Sequence, residues 1–406
     1  MMKNAKYYPW LVVAMLWGVA LLNYLDRQML STMRPSIQVD IQELQSATNF
    51  GRLMAIFLWI YGLMSPLSGM IADRINRKHL IVGSLFVWSA VTLLMGYATD
   101  FSQLYWLRAI MGVSEALYIP AALSLIADYH APNTRSLAVG IHMTGLYMGQ
   151  ALGGFGATIA AAYSWQATFH WFGIVGVVYA AVLLVFLREK RNAQPVQVEK
   201  QPVFKGFRAL VMLLPFWIIW LCFSIPSIPG WAIKNWLPTL FAGSLNVPMG
   251  EAGPIATITI AVSSFMGVIT GGLLSDRWVQ RNVKGRVYTS AIGLSLTVPA
   301  LFLLGIGTTT GYLVASAFCF GFGFGMFDAN NMPILCQFVA PRHRATAYGL
   351  MNMGGVFSGA LITDLLGKST DAGNLGRDFA LMSVVILAAV CLLLVFLRPK
   401  TTDCLT

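Results

Sequence analysis

Residues 69–78 read GMIADRINRK, and residues 272–277 read GLLSDR, followed by Arg281, Lys284 and Arg286. Each copy closes an apolar run of membrane-crossing length and opens a short basic loop. Gly69 and Gly272 stand 203 residues apart in a chain of 406, so the sequence is half repeated. A spanning helix needs about 20 apolar residues. Counting outward from the two copies, apolar runs of that length fall near 10–31, 50–72, 79–98, 103–127, 136–158 and 166–187 in the first half. In the second half they fall near 211–241, 252–275, 287–306, 311–338, 346–366 and 378–397. The polar stretch REKRNAQPVQVEKQPVFKGFR at 188–208 separates the halves and has the composition of a linker. The expected fold is an all-α membrane protein of twelve transmembrane helices. They form two pseudo-symmetric six-helix bundles around a central cavity: residues 1–187, a cytoplasmic linker at 188–210, and residues 211–406.

Composition supports this frame. The chain is 57% hydrophobic and 11% charged, where a soluble domain carries about 25% charged residues. The net charge of +11 is no sign of nucleic-acid binding, because its distribution is topological. With a cytoplasmic N-terminus, twenty loop and terminal bases fall on one side and four on the other, which is the positive-inside asymmetry. Both termini are expected to be cytoplasmic, in a multi-pass cell membrane protein, with a bacterial inner membrane as the expected location. The run after MMKNAKYYP is too long for a leader's apolar core and lacks a small-residue cleavage site. Five scattered cysteines give no disulfide or metal pattern. No metal or cofactor is expected, and the five histidines assemble no catalytic spacing, so an enzyme is not expected.

Three bases, Arg27, Arg108 and Lys234, fall inside spans, as do the acids Asp26 and Glu115. Ionisable groups in lipid are costly and mark transport pathways or proton relays by default, against the alternative of a purely structural charge network. Asp26 and Arg27 point about 100° apart on one helix and need different partners. Arg108 and Glu115 are seven residues apart, on one face and about 10 Å apart in height. Counting rise from each end sets Asp26 level with Arg108 and predicts that they pair. Arg27 then points into the cavity, near Glu115. A carboxylate held between burial, which opposes its charge, and an arginine, which favours it, can take and release a proton as the cavity changes sides.

The sequence resembles the major facilitator superfamily over nearly its whole length. GMIADRINRK looks like the family's loop 2–3 motif. Arg108 with Gly112 looks like its span-four motif, RSLAVG (135–140) its loop 4–5 signature, and Gly145, Gly149, Gly153 and Gly154 its glycine-rich fifth span. Asp73, Arg74, Arg77, Arg135, Asp276 and Arg277 are expected to latch helix ends across the cytoplasmic face. NYLDR (23–27), FLWIYGLMSPLSGMIADR (57–74) and LRAIMGVSEALYIP (107–120) are similar to the anion:cation symporter branch, which includes bacterial sugar-acid/proton symporters. That resemblance implies Asp26 and Glu115 as proton-coupling carboxylates, Arg27 as the binder of the substrate carboxylate, and Tyr61 and Asn352 as site-lining residues. Ser65 and Leu146 stand where that branch often has glutamines, and Lys234 is an extra base. Arg108, Lys234, His142, Asn330 and Asn331 complete the expected substrate-facing set. His142 can equally sit near the cytoplasmic surface. Trp231 and Trp236 read as belt residues in preference to lids. The implied function is proton-coupled uptake of a small organic anion by a monomer, with a hexuronate, aldonate or sialic acid as ligand. The alternative is lipid transport, because GVSEALYIPAALSLIADY (112–129) also resembles spinster-type transporters.

Overall fold

A computed structural model describes residues 7–189, 214–339 and 344–402; the side chains of Asp73, Arg74, Pro132, Asn133, Ser136, Leu214, Pro215 and Ala345 lie outside that description. The chain divides into two compact units, 1–196 with 249–254 and 197–248 with 255–406. Of the expected linker, only residues 188 and 189 are among those described.

The first unit runs α1 (Tyr8–Asp40), a 3₁₀ turn (Gln42–Gln45), α2 (Ala47–Arg74), α3 (Arg77–Met95), α4 (Phe101–Ala116), α5 (Tyr118–Tyr129), α6 (Pro132–Gly153), α7 (Gly156–Ala162) and α8 (Trp165–Phe186). Helices are the only open choice for such runs, because lipid offers no partner for a free peptide group. Their starts are written in the sequence. Ser46, Asn76, Asp100 and Ser164 each accept a backbone N–H three residues on, capping α2, α3, α4 and α8. The first span is longer than expected. At 33 residues α1 measures about 50 Å, well beyond the roughly 30 Å hydrocarbon core. Its far end is tied down by Arg34, which donates to the carbonyls of Leu44 (3.1 Å) and Gln45 (2.6 Å), and by Asp40, which accepts from Trp165 and Gln166.

The second unit runs α9 (Leu214–Leu245), α10 (Met249–Val279, its first turn counted with the first unit), α11 (Gly285–Ile306), α12 (Thr310–Asp328), α13 (Asn331–Phe338), α14 (Arg344–Asp371) and α15 (Leu375–Phe396). Within it α9 packs on α14, and α11 packs on α12 and α15. Eleven described segments are long and apolar enough to cross a membrane. The expected fifth span is not among them. Gly140, Gly145, Gly149, Gly153, His142 and Gln150 make α6 too polar on average. Its polarity is paid back by contact, since α6 lies along α1 at backbone range. A Cβ added at Gly145 would stand 2.6 Å from the Trp17 carbonyl oxygen, and one at Gly153 2.6 Å from Cβ of Gln28. Small residues at this spacing let two helices meet where no hydrophobic force drives them together.

Two expected spans are broken. The fourth divides at Leu117 into α4 and α5, and the tenth at Ala329–Asn330 into α12 and α13. A proline sits soon after each break, Pro120 and Pro333, where its missing N–H cannot serve the preceding turn.

Candidate functional site

The breaks matter because a carboxylate precedes each. Glu115 lies in the last turn of α4 and Asp328 ends α12. Glu115 is fully buried. Its Oε2 accepts from Arg27 Nε at 2.5 Å and from Asn23 Nδ2 at 3.0 Å. Asn23 and Arg27 are four apart on α1 and therefore share a face. The Arg27 side chain keeps 12% exposure. Its guanidinium lies over three rings, Tyr24 (5.1 Å), Phe57 (4.8 Å) and Tyr61 (4.6 Å). Such stacking adds roughly 0.5–2 kcal/mol per contact in a dry setting. Close packing brings α2 to the site: a Cβ at Gly112 of α4 would stand 2.7 Å from the Phe57 carbonyl oxygen. Arg27 Nη2 and Glu115 Oε1 are buried without hydrogen-bond partners.

The expected Asp26–Arg108 pair is not formed. Asp26 accepts a hydrogen bond from Thr92 of α3 (3.3 Å), while its Oδ1 has no partner. Arg108 donates to Met111 Sδ (3.1 Å) and lies over the Phe57 ring at 4.6 Å. Asp26 points around α1 toward α3, and Arg108 points from α4 toward α2. Arg108 still acts on Asp26 and Glu115 through space. Two acids and two bases thus share a small dry volume, with one bridge closed and the other pair only Coulombic.

His142 is fully buried and does not join this cluster. Its Nε2 meets the Tyr118 hydroxyl at 2.8 Å, and that hydroxyl donates to the Leu16 carbonyl at 2.7 Å. It neither lines the charge cluster nor sits near the surface; it knits α1, α5 and α6. On the loop side, Arg77 forms an ion pair with Asp128, and Arg135 donates to the Ala127 carbonyl at 3.0 Å. Asp73 and Arg74 end α2, and their side chains lie outside the described set. Asp276 and Arg277 are exposed and hold no ion pair among the described residues.

In the second unit, Lys234 of α9 lies 4.8 Å over the Trp231 ring and acts through space on Asp328. Asp328 Oδ1 accepts from Asn331 Nδ2 at 2.8 Å. Asn330 is fully buried and turns its amide N–H to the Met326 carbonyl (2.9 Å), so it acts on the backbone at the break. Asn352 is half-buried on α14. Trp236 is no belt residue: it is fully buried and donates to the Thr363 carbonyl at 3.1 Å. Asn23 could have been placed from its four-residue offset to Arg27; Thr92 and Phe57 carry no sequence signal beyond apolar context.

The Major Facilitator Superfamily profile matches residues 16–363. The chain is 27% identical to human protein spinster homolog 1 over 417 aligned positions, covering 93% of this chain and 78% of that one. It is 24% identical to the hexuronate transporter of Bacillus subtilis, covering 96% and 94%. The structure superposes on a bacterial homologue of the human lysosomal transporter spinster with a TM-score of 0.82 at 20% identity, covering 97% of this chain and 98% of that one. With the profile spanning most of its length, this chain, all-helical in the secondary structure of its described residues and with eleven described segments of membrane-crossing length and apolarity, belongs to the Major Facilitator Superfamily and is a multi-pass membrane transporter.

Proposed function

We propose that the chain is a proton-coupled symporter that takes up an organic anion by alternating access. A hexuronate, aldonate or sialic acid is the expected ligand. The carrying observation is the buried Arg27–Glu115 bridge with its spare guanidinium N–H groups. Arg27 can serve one carboxylate fully at a time. When Glu115 is ionised it holds Arg27. When Glu115 takes a proton the guanidinium is released, and a substrate carboxylate can take both arms of the fork. Proton and anion then bind together and leave together, which is what symport requires. Asp26 is the second carboxylate of the coupling set. Tyr61 walls the Arg27 pocket. Lys234, Asn331 and Asn352 are proposed to meet the rest of the ligand, and Arg108 sets the field around Glu115. The termini are proposed to be cytoplasmic, in a cell inner membrane, with the monomer as the working unit.

The test is uptake into reconstituted vesicles. Adding hexuronate, aldonate or sialic acid should acidify the lumen, and the neutral amide of the same sugar acid should not. A spinster-like lipid transporter is the second reading, favoured by the spinster relatives and by the structural match. Under it, lysophospholipid would be moved and the sugar acids would leave the lumen unchanged.

A further inference from the structure

Both donors that reach Glu115 land on the same oxygen. Arg27 Nε and Asn23 Nδ2 each donate to Oε2, at 2.5 Å and 3.0 Å, while Oε1 is buried and has no donor. Asn23 shows the matching defect. Its amide nitrogen is engaged, and its Oδ1 is likewise buried without a donor. Both residues are fully buried. Polar atoms left in that condition are uncommon in folded proteins, and each calls for a cause. Here two bare acceptors sit on groups already joined by one hydrogen bond. A single proton between them would satisfy both.

We infer that Asn23 receives the protonated form of Glu115, the two side chains closing a cyclic acid–amide pair. The assignment rests on the proton-symport reading and says how its proton is held. Because Oε2 already carries two donors, the incoming proton goes to Oε1. An O–H bond forms there with a proton from solvent, no electrons change hands, and the carboxylate charge is cancelled. The new hydroxyl donates to Asn23 Oδ1. Asn23 Nδ2 keeps its bond to Oε2, which is now a carbonyl oxygen. A primary amide suits this task because it carries an acceptor and a donor side by side. Arg27 meanwhile exchanges a charged acceptor for a neutral one and is held more weakly. Asn23 thus steadies neutral Glu115 while Arg27 is freed. It acts through Glu115 and is a positioning residue. Its four-residue offset from Arg27 lets both reach one carboxyl from one helix face.

The other ionisable groups around this pair are Asp26 and Tyr24 on α1, Tyr61 on α2 and Arg108 on α4. From α3 comes Thr92, bonded to Asp26; from α5 and α6 come Tyr118 and His142, bonded to each other. On α8, Tyr179 donates to the Met15 carbonyl. None of them donates to Glu115 Oε1 or Asn23 Oδ1.

The test is infrared difference spectroscopy on the whole protein in nanodiscs as pH is lowered. Glu115→Gln removes, and so identifies, the C=O band of protonated Glu115. In the wild type this band should lie at the low wavenumber of a strongly hydrogen-bonded acid. In Asn23→Leu, close in size but without an amide, it should move to higher wavenumber. Should Asn23→Leu fail to fold, wild-type protein carrying isotope-labelled asparagine decides. A side-chain amide C=O band should then move to lower wavenumber in step with the Glu115 band, and should be still in Glu115→Gln. A Glu115 band at the same position in the wild type and Asn23→Leu, or a still amide band in the labelled wild type, overturns the inference and leaves the symport reading standing. No protonated Glu115 at any pH overturns both.

Discussion

Replacing Glu115 by glutamine tests the coupling scheme at its centre. The wild-type carboxylate accepts a charge-assisted bond from Arg27 at 2.5 Å and a second bond from Asn23 at 3.0 Å, with no water contact. An amide oxygen can keep both bonds but not the charge. Hydrogen bonds to charged groups contribute about 1.5–3 kcal/mol against about 0.5–1.5 for neutral ones, so Arg27 is held less firmly by about 1–1.5 kcal/mol. A substrate carboxylate competing for Arg27 should then bind about ten-fold more tightly wherever the wild-type Glu115 is ionised. One linked proton also gives the wild type a slope of up to about ten-fold in affinity per pH unit, tighter as pH falls. The variant should show no such slope. Calorimetric titration of a hexuronate into purified protein at several pH values reads both effects. In vesicles the variant should exchange substrate by counterflow yet fail to concentrate it under a proton gradient. A variant that keeps the wild-type pH slope, or that still accumulates substrate, would refute the role given to Glu115.

Arg27→Lys keeps the charge but loses the fork; competition binding should show a loss of about ten- to a hundred-fold, one charge-assisted bond's contribution. Asp26→Asn should stop accumulation while expressing and melting near wild type, because Thr92 can still donate to the amide oxygen and Arg108 loses no bonded partner. Lys234→Ala should weaken binding less than about five-fold, the scale of a partly wet charge contact. Gly145→Ala should lower thermal stability in detergent by about 1–3 kcal/mol through overpacking against Trp17, whereas Gly83→Ala, with nothing within 4 Å, should melt as wild type.

The membrane frame was legible because lipid leaves so few choices. Runs of about 20 apolar residues, punctuated by two copies of one basic motif, fix the helices and their order. The neighbourhood of Arg27 and Glu115 was legible too, since charges in such runs stand out. The Asp26–Arg108 pairing failed for a definite reason. Rise per residue gives depth, but azimuth depends on how each helix is rolled against its neighbours. Here the glycines of α6 and Gly112 of α4 set that roll. His142 misled for a related reason: a polar side chain in a span can be spent on stitching helices, as its bond to Tyr118 does. The breaks at Leu117 and Asn330 were foreshadowed by Pro120 and Pro333, but not their depth. With α5 at 12 residues and α13 at 8, Asp328 stands about one turn nearer the end of its broken span, at Phe338, than Glu115 does to the end of its own, at Tyr129.

The seam between α1 and α6 also has a mechanical reading. A helix whose backbone touches its neighbour at Trp17, Leu21 and Leu25 cannot roll about its own axis without steric collision. It can travel only together with that neighbour. Arg27 is therefore carried on a two-helix strut whose members move as one piece. Any stroke that parts Arg27 from Glu115 must then come from the other side, by flexing at the Leu117 joint or by swinging the side chains themselves.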